Sequence, residues 1–196
     1  MPQTPSRHLY WLPEGEAGCE QLALTLDADA LRALGLVLRG GEDGHFRCRY
    51  ELEATADWRF RKLTISATDG EPGPPRRLEL ERNADGGWQV NGEAASELEG
   101  CDEVDIQVTP FTNSLPIRRL GLGKDERAEL RVAYVPVPGL TPHPMAQRYT
   151  CLEPLGAAGG RYLYESLESG FRAELPVDAD GLVTDYPELF RRQWPR

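Results

Sequence analysis

An alternation of apolar and polar residues with a period of two limits the fold of this chain more than any other feature. The clearest example sets four apolar residues against four polar ones: Phe46, Cys48, Tyr50 and Leu52 alternate with His45, Arg47, Arg49 and Glu51. Successive side chains of a β-strand point to opposite faces of its sheet, so this row predicts a strand with one buried face and one solvent-exposed face.

Short apolar runs at close spacing predict about ten strands in all. Besides the row above, they occupy residues 58–67, 78–80, 88–90, 104–108, 130–134, 147–152, 161–167, 171–177 and 182–186. Residues 85–87, Asp-Gly-Gly, predict a hairpin turn. The proline-rich segments 69–75 and 136–144 predict exposed connections. Near Lys62 the apolar phase slips by one residue, which predicts a β-bulge.

Little of the chain has helical character. Residues 27–35 combine the N-cap residue Asp27 with helix formers and Gly35, which predicts one short helix; residues 36–38 continue it or form a strand. Residues 110–120 are irregular or form a short helical turn, because Pro110 and Pro116 restrict strand pairing. The fold class is therefore mainly β, a barrel, a sandwich or a strongly curved antiparallel sheet, with residues 1–196 as a single domain.

Charge and hydropathy exclude several classes of function. Acidic residues outnumber basic ones 32 to 22, and the formal charge of −10 disfavours a nucleic-acid partner. No apolar run approaches the roughly 20 residues of a membrane helix, so we expect no integral membrane segment. Residues 1–10 lack the basic and apolar regions of a secretory signal, which predicts a cytoplasmic protein.

Cysteine and histidine, the residue types that often bind metals, are scattered along the chain. The cysteines, Cys19, Cys48, Cys101 and Cys151, match neither a zinc site nor a compact disulfide framework. We expect four reduced, buried or half-buried thiols, with two disulfides as the alternative in an exported protein. The histidines, His8, His45 and His143, are expected to be solvated, and no metal site is predicted. Gly121 and Gly123 complete no phosphate-binding motif, so no cofactor is predicted.

The sequence contains no recognisable catalytic centre, and we expect a protein that is not an enzyme. Asp102, Glu103 and Asp105 form an acidic cluster, and two of these carboxylates could serve as acid and base in a hydrolase or isomerase acting on carbohydrate or lipid. Glu103 and Asp105 share one face of a predicted strand, so a solvated face or a structural carboxylate is the preferred interpretation.

Aromatic residues are frequent on the predicted strands. They are Trp58, Phe60, Tyr134, Tyr149, Tyr162, Tyr164 and Phe171. Most aromatic side chains on strands belong to the core. On a curved sheet, however, one set would face a concave interior, where an apolar wall could form a pocket.

Residues 100–120 are distinctive and read GCDEVDIQVTPFTNSLPIRRL. Together with residues 57–61 (DWRFR), 87–88 (GW), 147–149 (QRY) and 180–187 (DGLVTDYP), this segment resembles the putative glycolipid-binding family of bacterial proteins over roughly residues 20–192. The resemblance implies a half-barrel, an antiparallel sheet curled around helical or loop elements, similar in shape to lipoprotein-carrier and lipid-binding proteins. It also implies a lipid or glycolipid ligand.

The central motif can be interpreted from its chemistry as well. Thr112 and Asn113 can form hydrogen bonds with nearby backbone in a turn, and Arg118 and Arg119 can donate to a carboxylate or an anionic head group. The preferred interpretation of this motif is that Asp105 and one of these arginines form a structural ion pair that fixes the loop across the sheet.

The leading hypothesis is a non-enzymatic protein that holds a lipid or glycolipid in the concave face of its sheet, with arginines near the rim. The predicted ligand-binding residues are Trp58, Phe60, Arg118, Arg119, Tyr134, Tyr149 and Tyr164. A protein-interaction module that uses an exposed sheet edge is a further alternative.

Overall fold

The computed structural model describes residues 6–41, 44–70 and 73–195 and consists of two β-sheets with one α-helix. The larger sheet contains β1 (Ser6–Pro13), β2 (Ala17–Leu26), β3 (Ala30–Gly41), β4 (Gly44–Thr55), β5 (Phe60–Thr68), β6 (Arg76–Arg82), β7 (Trp88–Val90), β8 (Glu93–Ala94), β14 (Asp185–Tyr186) and β15 (Phe190–Trp194). The smaller sheet contains β9 (Glu103–Ile106), β10 (Arg127–Val135), β11 (His143–Gly156), β12 (Gly159–Ser166) and β13 (Arg172–Val177).

The larger sheet has the order β14-β15-β1-β2-β3-β4-β5-β6-β7-β8, and the smaller one has the order β13-β12-β11-β10-β9. All pairs are antiparallel except β9 and β10, which are parallel. The sequence prediction of a mainly β, strongly curved antiparallel fold is confirmed. The predicted bulge is present too: Glu53 pairs with Lys62 and Ala54 with Phe60, so Arg61 is the additional residue.

The inner face of the larger sheet is filled by the protein's own side chains. From Leu31 to Val37 in β3 and from Cys48 to Ala54 in β4 every second residue is buried, as the period of two predicts. The largest buried side chains on this face include Trp11, Tyr50 and Phe60. Tyr50 lies opposite Gly35 in the neighbouring strand, and its ring occupies the space that a side chain at Gly35 would need.

The helix predicted over residues 27–35 is wrong, because β3 begins at Ala30. Asp27 Oδ1 accepts hydrogen bonds from the backbone of Asp29 at 3.0 Å and of Ala30 at 2.8 Å, so the aspartate stabilises a turn instead of a helix start. β3 then pairs along its length with β2 and β4. Tertiary pairing outweighs the weak local preference for helix.

The only α-helix of the described residues is α1 (Ser114–Leu120), which follows a 3₁₀ turn over Phe111–Asn113. Another 3₁₀ turn covers Ser96–Leu98. All residues from 111 to 117 are buried. Gly121 ends α1 in the left-handed conformation with φ of 56°, which glycine adopts without strain. Within the described residues, no helix has the length and apolar character needed to cross a membrane.

All four cysteines are free thiols, as predicted. Cys48, Cys101 and Cys151 are buried and Cys19 is half-buried.

Candidate functional site

A cleft of about 510 Å³ opens where the ends of strands from both sheets meet. Its lining comes from the ends of β3, β9 and β12, the starts of β4 and β11, and the turn between β14 and β15. The volume falls within the roughly 300–1,000 Å³ of small-molecule sites. This cleft is therefore the candidate binding site.

Asp105 lies in β9 at the inner end of the cleft, where it is half-buried. Its carboxylate accepts hydrogen bonds from Thr112 Oγ1 at 2.8 Å and from Gln147 Nε2 at 2.7 Å. Burial raises the pKa of Asp105, and both hydrogen bonds oppose that increase. Both donors are neutral, and no cationic side chain of the described residues pairs with Asp105.

Three tyrosines, Tyr134, Tyr164 and Tyr186, line the cleft around Asp105. Burial and the negative charge of Asp105 raise the pKa of all three phenols, so they stay neutral. Within the described part of the chain, their hydroxyl groups form no hydrogen bond. The inner end of the cleft therefore offers one carboxylate and three uncommitted hydroxyl donors.

Aromatic rings form a continuous wall from the inner end of the cleft to its mouth. The ring centroid of Tyr186 is 6.1 Å from that of Tyr164 and 6.2 Å from that of Phe190. Phe171 contacts Tyr164 and Tyr186 with centroid distances of 6.3 and 6.2 Å. Such edge and tilted contacts are typical of stable aromatic clusters. The wall therefore links the smaller sheet to the last strands of the larger one.

Arg39 lies at the mouth of the cleft. Its guanidinium carbon is 4.6 Å from the ring centroid of Phe190, and its Nη1 is 3.6 Å from a carboxylate oxygen of Glu16. Glu188 and Leu189, which are exposed, border the same opening.

A buried carboxylate, Glu20, lies behind the wall of the cleft and is 1 % exposed. The Tyr50 hydroxyl donates to Glu20 Oε1 at 2.6 Å and lies 3.4 Å from the hydroxyl of Thr109, which lines the cleft. Glu20 Oε2 has no partner among the described residues. Burial therefore raises the pKa of Glu20 to about 7, although Tyr50, Thr109 and Arg39 favour the ionised form.

The structure brings some of the residues predicted from the sequence into this cleft and places others elsewhere. Tyr134 and Tyr164 line it, together with Asp105 and Asn113 of the central motif. Tyr149 is buried beside it, where its hydroxyl donates to Asn113 Oδ1 at 2.8 Å.

Five predicted binding residues lie outside the lining of the cleft: Tyr149, Trp58, Phe60, Arg118 and Arg119. The Arg118 guanidinium carbon is 5.3 Å from the ring centroid of Trp58. Phe60 stacks on Trp88 with a centroid distance of 5.3 Å.

The predicted ion pair between Asp105 and an arginine is wrong, because Arg119 pairs with Glu103. Glu103 is fully buried and also accepts from the backbone of Phe60 at 3.2 Å. Burial raises its pKa to about 7 against the opposing effect of Arg119. Of the two interpretations given for Glu103 and Asp105, the solvated face is wrong, because Glu103 is buried and Asp105 is half-buried in the cleft. The structural carboxylate is confirmed for Glu103, which pairs with Arg119. Asp102 is exposed.

Sequence reasoning missed Arg39, Gln147 and Tyr186. Arg39 has the same strand parity as the buried Leu31 and Val37, so the period of two would have placed it on the inner face. Tyr186 lies in the DGLVTDYP segment, where no apolar alternation marked its orientation. No local pattern in the sequence marks Gln147, because its role depends on Asp105, which is 42 residues away along the chain.

These features define a class of protein: a mainly antiparallel β-fold with a partly aromatic cleft at the ends of its strands. The chain belongs to the family described as putative glycolipid-binding, whose model matches residues 8–192. Its fold is similar to the crystal structure of a DUF1089 family protein from Pseudomonas aeruginosa, solved at 1.80 Å, with 41% identity and a TM-score of 0.77 over 88% of this chain and 91% of that one. None of the curated proteins is significantly similar to this chain.

Proposed function

We propose that this protein binds an amphiphilic lipid of the glycolipid class in the cleft and releases it unchanged. The observation that carries the proposal is the chemistry of the inner end, where the Asp105 carboxylate faces uncommitted hydroxyl groups inside a largely aromatic cleft. The description of the family supports the choice of ligand class.

The inner end suits a sugar head group. Sugar hydroxyls both donate and accept hydrogen bonds, and here they would meet a carboxylate acceptor and the phenol donors of Tyr134, Tyr164 and Tyr186. Hydrogen bonds to a charged acceptor are the stronger kind. The aromatic wall also offers flat apolar surfaces against which the faces of a sugar ring can pack.

The outer part of the cleft suits the apolar part of the ligand. Phe46 and Phe190, which lie beside Arg39, are apolar residues of the lining there. A second groove of about 400 Å³ shares Arg39 and Phe46 with the cleft and continues past Leu38. An alkyl chain can follow this route from the mouth, whereas the rest of the inner face of the larger sheet is already filled by buried side chains.

Two observations favour binding over the alternatives. Among the three acidic residues at 102, 103 and 105, Asp105 alone lines the cleft, so this cluster supplies no facing pair of carboxylates for hydrolysis. The edge strands β8 and β14 of the larger sheet have two residues each, which leaves little backbone of this sheet for pairing with another protein.

Calorimetric titration of delipidated protein with an alkyl glycoside tests the proposal. We expect saturable binding, and we expect Tyr164→Phe to weaken it about three- to tenfold, because one hydrogen bond contributes about 0.5–1.5 kcal/mol. Tyr162→Phe is the matched control, since Tyr162 is a buried tyrosine in the same strand outside the cleft lining. Binding that is absent, or that both variants weaken equally, would contradict the proposal. Chromatography of the recovered glycoside tests whether it is unchanged.

A further inference from the structure

The charges of the cleft are unbalanced. Among the described residues, its lining contains four carboxylates and one guanidinium, from Glu14, Glu16, Asp105, Glu188 and Arg39. Glu14 pairs with Arg191 at 2.7 Å, and Arg39 pairs with Glu16 at 3.6 Å. Within residues 6–41, 44–70 and 73–195, neither Asp105 nor Glu188 forms an ion pair. The two unpaired charges are both negative, one at the inner end and one at the mouth.

The surroundings of Asp105 would strengthen its attraction for a cation. Its two hydrogen-bond donors, Thr112 and Gln147, are neutral, so they satisfy the oxygens without cancelling the charge. The half-buried position lowers the effective dielectric constant, and charges attract more strongly there than in water.

The aromatic wall offers a second kind of contact to the same cation. The rings of Tyr164, Phe171 and Tyr186 contact one another beside Asp105. The face of an aromatic ring attracts ammonium groups within roughly 6 Å of its centroid, and several rings together form the aromatic cages that bind quaternary ammonium ions. A carboxylate beside such rings is a combination suited to a positively charged nitrogen.

We infer that the cleft selects ligands whose head group contains a protonated or quaternary amine, with the nitrogen contacting Asp105 and the rings of Tyr164, Phe171 and Tyr186. The inference rests on the proposed function and specifies its ligand class. The unpaired negative charges of Asp105 and Glu188 repel anions, so ligands whose head group contains phosphate or sulfate are excluded. Arg39, the one cation that the described part of the chain contributes to the lining, is already paired with Glu16 at the mouth.

The test compares ligands that differ only at the head. Octyl glucoside and octyl glucosaminide share the chain and the ring, and one hydroxyl is replaced by an ammonium group. Calorimetric titration in low salt is expected to show about tenfold tighter binding of the glucosaminide, equivalent to about 1.4 kcal/mol. The N-acetylated glucosaminide, which has no charge, is expected to lose that advantage.

Two variants assign the effect to the site. Asp105→Asn should weaken the binding of octyl glucoside, because the sugar loses a charged hydrogen-bond acceptor, and it should weaken the binding of the glucosaminide about tenfold more, so that the preference for the amine is lost. Circular dichroism checks that the variant is folded. Phe171→Leu provides an independent test at a half-buried position, and the preference should decrease there as well.

The outcomes separate the two proposals. If glucoside and glucosaminide bind equally, the amine inference is overturned and the proposed function stands. If neither binds, both fail. If Asp105→Asn weakens both ligands equally, Asp105 is a hydrogen-bond acceptor and not a cation site, which also overturns the inference. Octyltrimethylammonium has an ammonium group and an octyl chain but no sugar. Tight binding of this compound indicates that the ammonium group suffices, and weak binding indicates that the sugar hydroxyls are required with it.

Discussion

Replacing Glu20 by glutamine should make the protein more stable above pH 7. Glu20 is 1 % exposed, and its Oε2 has no partner among the described residues, so ionising it is costly. Burial raises its pKa from 4.5 to about 7. At about 1.4 kcal/mol for each pKa unit, the ionised carboxylate lowers the free energy of unfolding by about 3 kcal/mol.

The sign follows from where the proton is released. Below pH 4.5 the carboxyl is neutral in the folded and the unfolded chain, and no penalty exists. Between pH 4.5 and about 7 the unfolded chain releases the proton while the folded chain keeps it, so stability falls as the pH rises. Above that range both states are ionised and the penalty is constant. Glutamine is neutral throughout and can still accept the hydrogen bond from Tyr50.

Urea unfolding of the wild type and Glu20→Gln at pH 5, 6.5 and 8 measures the effect. We expect the variant to be about 2–3 kcal/mol more stable at pH 8, and the difference to shrink below about 1 kcal/mol at pH 5. Glu51→Gln is the matched control, because Glu51 is exposed on β4 and should change stability by less than about 0.5 kcal/mol. If the free energy of unfolding of Glu20→Gln changed with pH in parallel with that of the wild type, the reasoning would be refuted.

Two further substitutions test the packing and the buried ion pair. Gly35→Ala should lower the free energy of unfolding by about 1–3 kcal/mol in thermal unfolding, because a Cβ would overlap the ring of Tyr50. Gly156→Ala is its control, with open space around the position, and a similar loss there would contradict the steric explanation. Arg119→Met should cost about 3–5 kcal/mol at pH 8 because it leaves the buried Glu103 carboxylate unpaired. The loss should be smaller at pH 5, where Glu103 can become neutral, and equal losses at both pH values would count against this account.

The sequence predicted the strands that carry a clear alternation, such as β4 and its neighbour β5 with the bulge between them. It failed at residues 27–35, where helix formers also fit a strand that is covered on one face. The local preference for helix is worth a fraction of a kcal/mol per residue, whereas pairing with β2 and β4 on both sides supplies hydrogen bonds along the whole strand. Local patterns cannot weigh partners that are distant in sequence.

The candidate site was predicted only in part, for the same reason. Tyr134 and Tyr164 were selected as aromatic residues on strands, and both line the cleft. Arg118 and Arg119 were selected for their charge, and Arg119 is committed to Glu103 instead. A sequence shows that a charge is present, but its availability depends on which opposite charge the fold places beside it.

By itself, the sequence determined the mainly β class and the hairpin turn at residues 85–87, because alternation and glycine act within a few residues. The distinctive segment 100–120 identified the family. The tertiary structure alone decided where the cleft lies and which of its charges are unpaired. Arg39, Asp105 and Tyr186 are far apart along the chain and meet because the ends of β3, β9 and β14 converge. The period of two reveals which side of a strand is buried, but the neighbours across the core follow only from the packing of one sheet on the other.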